Sequence, residues 1–292
     1  MPITSCANGD GCCPANCGGG DDADCSAPTP AGTPTPGGPT ATGPTPTPSA
    51  IATPGALDHF TCYKAGATSG SVKFPGIANP PGVSLVDQFG SSTDAVKKPG
   101  FLCAPTNKLG EDPTAPTHPE HLTGYPIKNL VKPVFPMNIK VVDQFNVSGL
   151  FVNAKKQAHL FVPTAKNLSA TPPPPAAFVT DHFECYKTAV TSGTPKFVAG
   201  PGVTLADQFG SMTVTVKKPA FLCNPVDKNG EDATAPTHPE HLLCYAIKQT
   251  DAVKFVKRKG IFINNQFLPE TLDTKEARAA LRADAHHAVG HQ

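Results

Sequence analysis

The sequence predicts an all-β protein: two tandem pseudo-two-fold β-barrel or sandwich domains after a Cys-rich segment and a Pro/Thr-rich linker. Three observations carry this. EDPTAPTHPEHL at 111–122 returns as EDATAPTHPEHL at 231–242, changed only from Pro113 to Ala233, so the chain from Asp58 onward is a repeat. Segments such as VSLVDQF, TVTVKKPAFLC and GLFVNAKKQAHLFV are short, β-branched and alternating, as strands with one buried face are. Pro (34) and Gly (26) make about a fifth of the 292 residues, and both break helices.

Residues 1–25 hold five Cys among turn residues and too few apolar side chains for a core, so disulfides must hold this module. Five is odd, which leaves one Cys free, paired elsewhere or without its partner. Asp10, Asp21, Asp22 and Asp24 offer a calcium reading, although the twelve-residue EF-hand spacing and its closing Glu are absent. No other cofactor is expected. The stretch resembles GDGCCP…DxDC modules at the front of secreted bacterial proteins. Residues 26–57 are Pro, Thr, Ala, Gly and Ser apart from Ile51 and Leu57, with no charge, a semi-rigid spacer reaching up to roughly 100 Å.

Ten Cys point to an oxidising compartment, yet Met1–Cys6 has neither the charged nor the apolar region of a signal peptide. The expectation is a truncated or misassigned start. No run of 18 apolar residues predicts a membrane span, and a net charge of +1 supplies no basic field for nucleic acid.

The repeat gives domain 1 at 58–170, a Pro-rich hinge at 171–180 and domain 2 at 181–276. DHFTCYK (58–64) restarts as DHFECYK (181–187), and VKKPGFLCAP (96–105) as VKKPAFLCNP (216–225). Each copy also repeats itself weakly, giving four half-units opened by Asp87, Asp143, Asp207 and Asn265 in DQF, DQF, DQF and NQF. About three strands per half-unit are expected. The DQF motifs read as structural corners, Asp bonding turn amides and Phe entering the core.

The half-units test cysteine pairing. Half-unit one has Cys62 and Cys103, and half-unit three has Cys185 and Cys223. Half-unit two lacks both, with Gly124 and Phe161 in their places. Loss of both together is the mark of a bonded pair, so Cys62–Cys103 and Cys185–Cys223 are the expected disulfides. Cys244 in half-unit four has no partner. The second Cys lies 16 residues after the corner Asp (103 − 87, 223 − 207), and the same step from Asn265 reaches Leu281. One back-translation of Ala280–Asp284, read out of frame by one nucleotide, gives Leu-Cys-Val-Pro-Thr. Residues 277–292 are therefore expected to be an aberrant tail, able to form a frayed Ala-rich helix, with no metal role for His286, His287 and His291. Sequencing the gene tests this; codons that cannot encode the motif exclude it.

DHFxCYK, DQFG, VKKPxFLCxP and APTHPEHLxCYxIK, in order and twice, resemble an uncharacterised repeat domain of secreted or surface-associated bacterial proteins, a family of unknown function. The resemblance covers about 58–276 and implies an extracellular or cell-surface location. It carries over no catalytic or ligand residue.

His118, Glu120 and His121, with copies His238, Glu240 and His241, form the sharpest polar cluster and could ligate zinc. Against this, Pro119 forbids the helix that aligns histidines in H-E-x-x-H enzymes, and positions i and i+3 of a strand face opposite ways. Asp58-His59 and Asp181-His182 could enter a hydrolase triad, but no nucleophile motif accompanies them. Lys97, Lys98, Lys217 and Lys218 read as solvated or edge-strand charges. The function expected is non-catalytic structural or adhesive binding of cell-envelope polysaccharide or protein. The alternatives are a metal-assisted hydrolase using HPEH and a ligand-free scaffold.

Overall fold

The computed structural model describes residues 57–131, 134–175, 179–282 and 286–288. They lie in the second of two units into which the chain divides, Met1–Pro48 and Ser49–Gln292. The Cys-rich segment with Asp10, Asp21, Asp22 and Asp24, and the linker to residue 56, lie outside the described residues.

Among the described residues all regular elements are strands apart from short 3-10 turns. Each half-unit has a first strand, a hairpin tipped by its DQF or NQF corner, and a return strand. Half-unit one comprises β1 (Phe60–Ala67), β2 (Val83–Asp87), β3 (Gly90–Val96), β4 (Phe101–Pro105) and the short β5 (Asn107–Lys108). Half-unit two comprises β6 (His121–Asn129), β7 (Ile139–Asp143) and β8 (Asn146–Asn167). Half-unit three comprises β9 (Phe183–Val190), β10 (Gly200–Asp207) and β11 (Gly210–Lys228). Half-unit four comprises β12 (Leu242–Gln249), β13 (Ile261–Asn265), β14 (Glu270–Arg282) and β15 (His286–Ala288). The return strand of half-unit one is interrupted around Pro99, whose missing N–H cannot serve a ladder. In β11 the equivalent Pro219 coincides with a register shift.

The first and return strands form one closed antiparallel ring, β1–β4–β6–β8–β9–β11–β12–β14, with β14 pairing back onto β1. Here the structure differs from the tandem expectation. Closure happens once, around both copies, through β8–β9 and β14–β1. Each copy supplies four ring strands, too few to enclose a packed interior, whereas about eight leave room that side chains can fill. Residues from all eight meet in one buried cluster that includes Phe60, Cys62, Cys103, Leu122, Phe161, Phe183, Cys223, Leu242 and Ala279.

The hairpins lie across the opposite half-unit. β2 pairs with the end of β11, β10 with β5, β13 with the end of β8, and β7 with β15. The four tyrosines of the chain secure this exchange. Tyr63 donates to Asp207 at 2.7 Å, Tyr186 to Asp87 at 2.9 Å, and Tyr245 to Asp143. In the fourth pair the polarity reverses, and Asn265 Nδ2 donates to the Tyr125 hydroxyl at 2.8 Å. Each corner also accepts the amide of its own Phe: Phe89, Phe145, Phe209 and Phe267, at 2.7–2.9 Å. Each of those rings packs on the tyrosine its corner binds, with centroids 4.9–5.4 Å apart. The corner is thus both a turn and the clasp between opposite half-units.

Cross-strand register places Cys62 against Cys103 and Cys185 against Cys223, and both pairs are disulfide-bonded. Gly124 faces Phe161 in the corresponding register. A Cβ on Gly124 would lie 2.5 Å from the Phe161 ring, so ring and glycine share the space the disulfide occupies elsewhere. Cys244 is a buried free thiol facing Leu281, the position reached by the 16-residue step. Its sulfur is 3.4 Å from Cys223 Sγ. Residues 277–282 continue β14 in the ring and 286–288 form β15, so these parts of the tail are strand, not helix. Their pairing with β1, β12 and β7 decides this over the intrinsic preference of an Ala-rich run.

Candidate functional site

The two copies of EDxTAPTHPEHL converge on one basin. Asp112 accepts the Thr114 amide (2.9 Å) and hydroxyl (2.6 Å), starting a turn that Pro116 favours within Ala115–Thr117. His118 follows in extended conformation. Its Nε2 lies 3.0 Å from Thr114 Oγ1, and its Nδ1 lies 2.9 and 3.0 Å from the two oxygens of Asp58. The second copy repeats this: Asp232 holds Thr234, His238 Nε2 lies 3.1 Å from Thr234 Oγ1, and Nδ1 lies 3.0 Å from Asp181.

The proton inventory constrains the chemistry. Each imidazole is thus held at both nitrogens, by a carboxylate on one side and a threonine hydroxyl on the other, so neither ring nitrogen is left facing a nucleophile. The Asp181 hydrogen bond holds His238 above the ordinary imidazole value, against the smaller effect of burial. Burial lifts Asp58 and Asp181 above the usual carboxylate value, partly offset by their histidines.

Both pairs line a cavity of about 450 Å³ with Glu120, Glu240, Pro119, Pro239, Leu57, Val179, Thr180 and Phe183. Glu120 accepts the amides of Val179 (3.2 Å) and Thr180 (2.9 Å) and the Thr180 hydroxyl, tying the first copy to the segment that enters the second. Its copy Glu240 is exposed. The basin is therefore acidic at its rim and partly apolar within.

The HPEH residues do not gather as one ligand set. His121 is buried behind the turn, its Nδ1 3.0 Å from the Pro119 carbonyl, and burial pushes it down to about 3. His241 is also buried, with Nδ1 3.2 Å from Asn224 Oδ1. What gathers instead is Asp58, Asp112 and His118, and in parallel Asp181, Asp232 and His238, each set within 4.8 Å. These could hold a metal only by giving up the hydrogen bonds just described. Sequence reasoning named His118 within HPEH and placed Asp58 beside His59, but did not join Asp58 to His118. The available signal was the joint recurrence of DH and HPEH in both copies. His59 instead approaches Glu111 at 3.3 Å. Burial opposes ionisation of Glu111, but hydrogen bonds from His59, Lys108 and Gln144 outweigh it and hold the carboxyl well below its usual value. A parallel network links His182, Gln266, Glu231 and Lys228. Lys97, Lys98, Lys217 and Lys218 are exposed.

No helix among the described residues is long and apolar enough to cross a membrane. A family model described as a repeat of unknown function, DUF7450, matches residues 121–267. No curated protein and no solved structure matches the chain.

Proposed function

The chain belongs to the DUF7450 repeat family, a membership that names no activity, and we propose that the protein is a non-catalytic structural or adhesive binding module of the cell surface or extracellular space. The observation that carries this reading is the state of its most enzyme-like groups. Both His–Asp–Thr clusters are closed by internal hydrogen bonds, in duplicate, around one open basin. Duplicated, internally satisfied clusters set the shape and charge of a binding face. Two buried disulfides suit an oxidising compartment. The Pro/Thr spacer would hold such a face away from its anchorage, and tethering raises the yield of a weak contact.

The ligand class is cell-envelope polysaccharide or protein. Arrays of purified envelope polysaccharides and surface proteins, probed with the full chain, test it against Val179→Lys and Glu240→Lys. Val179 is 87% exposed and Glu240 is exposed, so both variants should keep the wild-type Tm. At least a tenfold loss of affinity in both supports the basin as the binding face. Absence of any array ligand favours the ligand-free scaffold. Turnover on a hydrolase panel that disappears in His118→Ala would replace this reading with the enzymatic one.

A further inference from the structure

The loop that follows the first strand differs among the half-units. These loops run over 68–82, 130–138, 191–199 and 250–260, before β2, β7, β10 and β13. Each contributes one Phe to the corner clasp. Phe74 packs on Tyr125, Phe135 on Tyr186, Phe197 on Tyr245 and Phe255 on Tyr63, with centroids 4.6–5.9 Å apart. The fold accounts for that Phe but not for the charge. The first three loops hold one Lys each, Lys73, Lys132 and Lys196, whereas the fourth holds Lys254, Lys257, Arg258 and Lys259 within six residues.

All four cations are exposed, and among the described residues none of them is in an ion pair. Lys254 Nζ donates to the Asp251 carbonyl (2.8 Å) and Arg258 Nη2 to the Phe209 carbonyl (3.0 Å), contacts with neutral oxygens. The acid of the loop, Asp251, accepts the Thr213 amide (2.7 Å) and Gln249 Nε2 (3.2 Å). At the foot of the loop Asp273 is held below the ordinary carboxylate value by Thr68, the Gly260 amide, Lys259 and Lys275, so one acid answers two cations. Val253 and Val256 are interleaved with the basic residues and are 79% and 65% exposed. Behind them lies a cavity of about 460 Å³ against the corner of half-unit three, lined by Phe209, Met212 and both valines together with Lys254 and Arg258. The valines therefore continue a larger apolar surface rather than standing singly. Thr68 and Gly260 both donate to Asp273 Oδ1, at 2.6 and 3.0 Å, so loop one stands beside loop four and brings another exposed pair, Val72 and Lys73.

We propose that loop four, with Val72 and Lys73 beside it, docks on an anionic lipid surface. The lysines and Arg258 meet lipid phosphates, and Val253 and Val256 enter the headgroup region. Basic residues interleaved with exposed apolar ones suit that surface, because electrostatic attraction and apolar burial add. A hydrated polyanion would use the lysines and gain nothing from the valines. The contact lies on the surface of a bilayer and needs no span. It is also independent of the basin. Ring neighbours are antiparallel, so the four first strands run the same way. The basin lies where they begin, and loop four lies where β12 ends.

The test uses the oxidised full chain, sedimented with vesicles of phosphatidylcholine alone or mixed with phosphatidylglycerol. Expected is binding to the mixed vesicles only, falling at least tenfold between about 0.1 and 1 M salt, where the screening length drops from roughly 10 to 3 Å. Lys257→Gln with Lys259→Gln should weaken binding about tenfold or more, and so should Val253→Ser with Val256→Ser, which keeps the charge. All four side chains are exposed, so calorimetry should show the wild-type Tm in both variants. Lys155→Gln with Lys156→Gln makes an equal charge change on exposed lysines of β8, across the ring, and should leave binding unchanged. No binding to either vesicle, or equal binding to both, overturns the proposal. So does an equal loss in the β8 variant, which would reduce the contact to overall charge. Binding that ignores the valine changes and is displaced by soluble dextran sulfate also overturns it, assigning the loop to a hydrated polyanion.

Discussion

Half-units one and two fill the same place inside the ring with different chemistry. Between β1 and β4 stands the Cys62–Cys103 disulfide, and between β6 and β8 stand Gly124 and the Phe161 ring. Half-unit three repeats the first solution, while half-unit four has a lone Cys244 opposite Leu281. The volume is needed at every half-unit; the covalent bond is not. What the fold demands is a filled interior, and the disulfide adds restraint on the unfolded chain.

The largest expected effect removes that restraint. Cys62→Ala with Cys103→Ala opens a 41-residue separation and should cost up to about 4 kcal/mol in chemical denaturation. A cost near zero would mean that packing alone secures half-unit one, as it does half-unit two.

A smaller effect separates the titrating corners from the one that does not titrate. Burial raises Asp207 from 3.8 to about 6 despite its Tyr63 hydrogen bond, whereas half-unit four has Asn265 at this position. A raised carboxyl stabilises the fold most below its unfolded value and loses that contribution as pH rises through the folded one. Asp207→Asn should therefore gain stability relative to wild type between about pH 4 and 6, by on the order of 2–3 kcal/mol. Urea midpoints across pH check this, and a pH-independent difference contradicts it.

Gly124→Ala comes next. The new methyl meets the Phe161 ring at 2.5 Å, and overpacking of this kind costs about 1–3 kcal/mol. Phe161→Leu should recover part of that loss, a rescue that distinguishes the clash from a change in strand preference. The smallest effect is a gain. Leu281→Cys should oxidise with Cys244, read as a mass two hydrogens lighter, and add roughly 1–2 kcal/mol once native strain is deducted. A persistent free thiol would show that Cys244 prefers its contact with Cys223.

Local structure was legible because it depends on neighbours in the chain. The strands, the corner Asp bonding its own turn amides, and the unpaired position at Leu281 followed from alternation and from counting along the repeat. Ring closure was not, because a repeat in sequence does not say whether a strand pairs within its own copy or with the other. The hairpin exchange and the Tyr63–Asp207 clasp, 144 residues apart, come from those pairings. The basin was half legible. HPEH stood out, but which histidine turns outward depends on the turn Asp112 builds, and Asp58 reaches His118 across 60 residues. The basic run at 254–259 could have been found by aligning the half-units, whose other loops hold a single Lys each; net charge alone hides it.

The pairing of β1 between β4 and β14 sets a mechanical load path. A pull on the chain ahead of Asp58 enters the ring at Phe60 and reaches Cys62 two residues later, where a covalent bond hands the load to β4. Only the first rungs can peel before the bridge stops them. Single-molecule pulling from that end should show a stiff response that lengthens, by a step matching the 41-residue separation of Cys62 and Cys103, only after reductant is added. A domain borne on a spacer and stressed through it would thereby keep its basin in shape under tension.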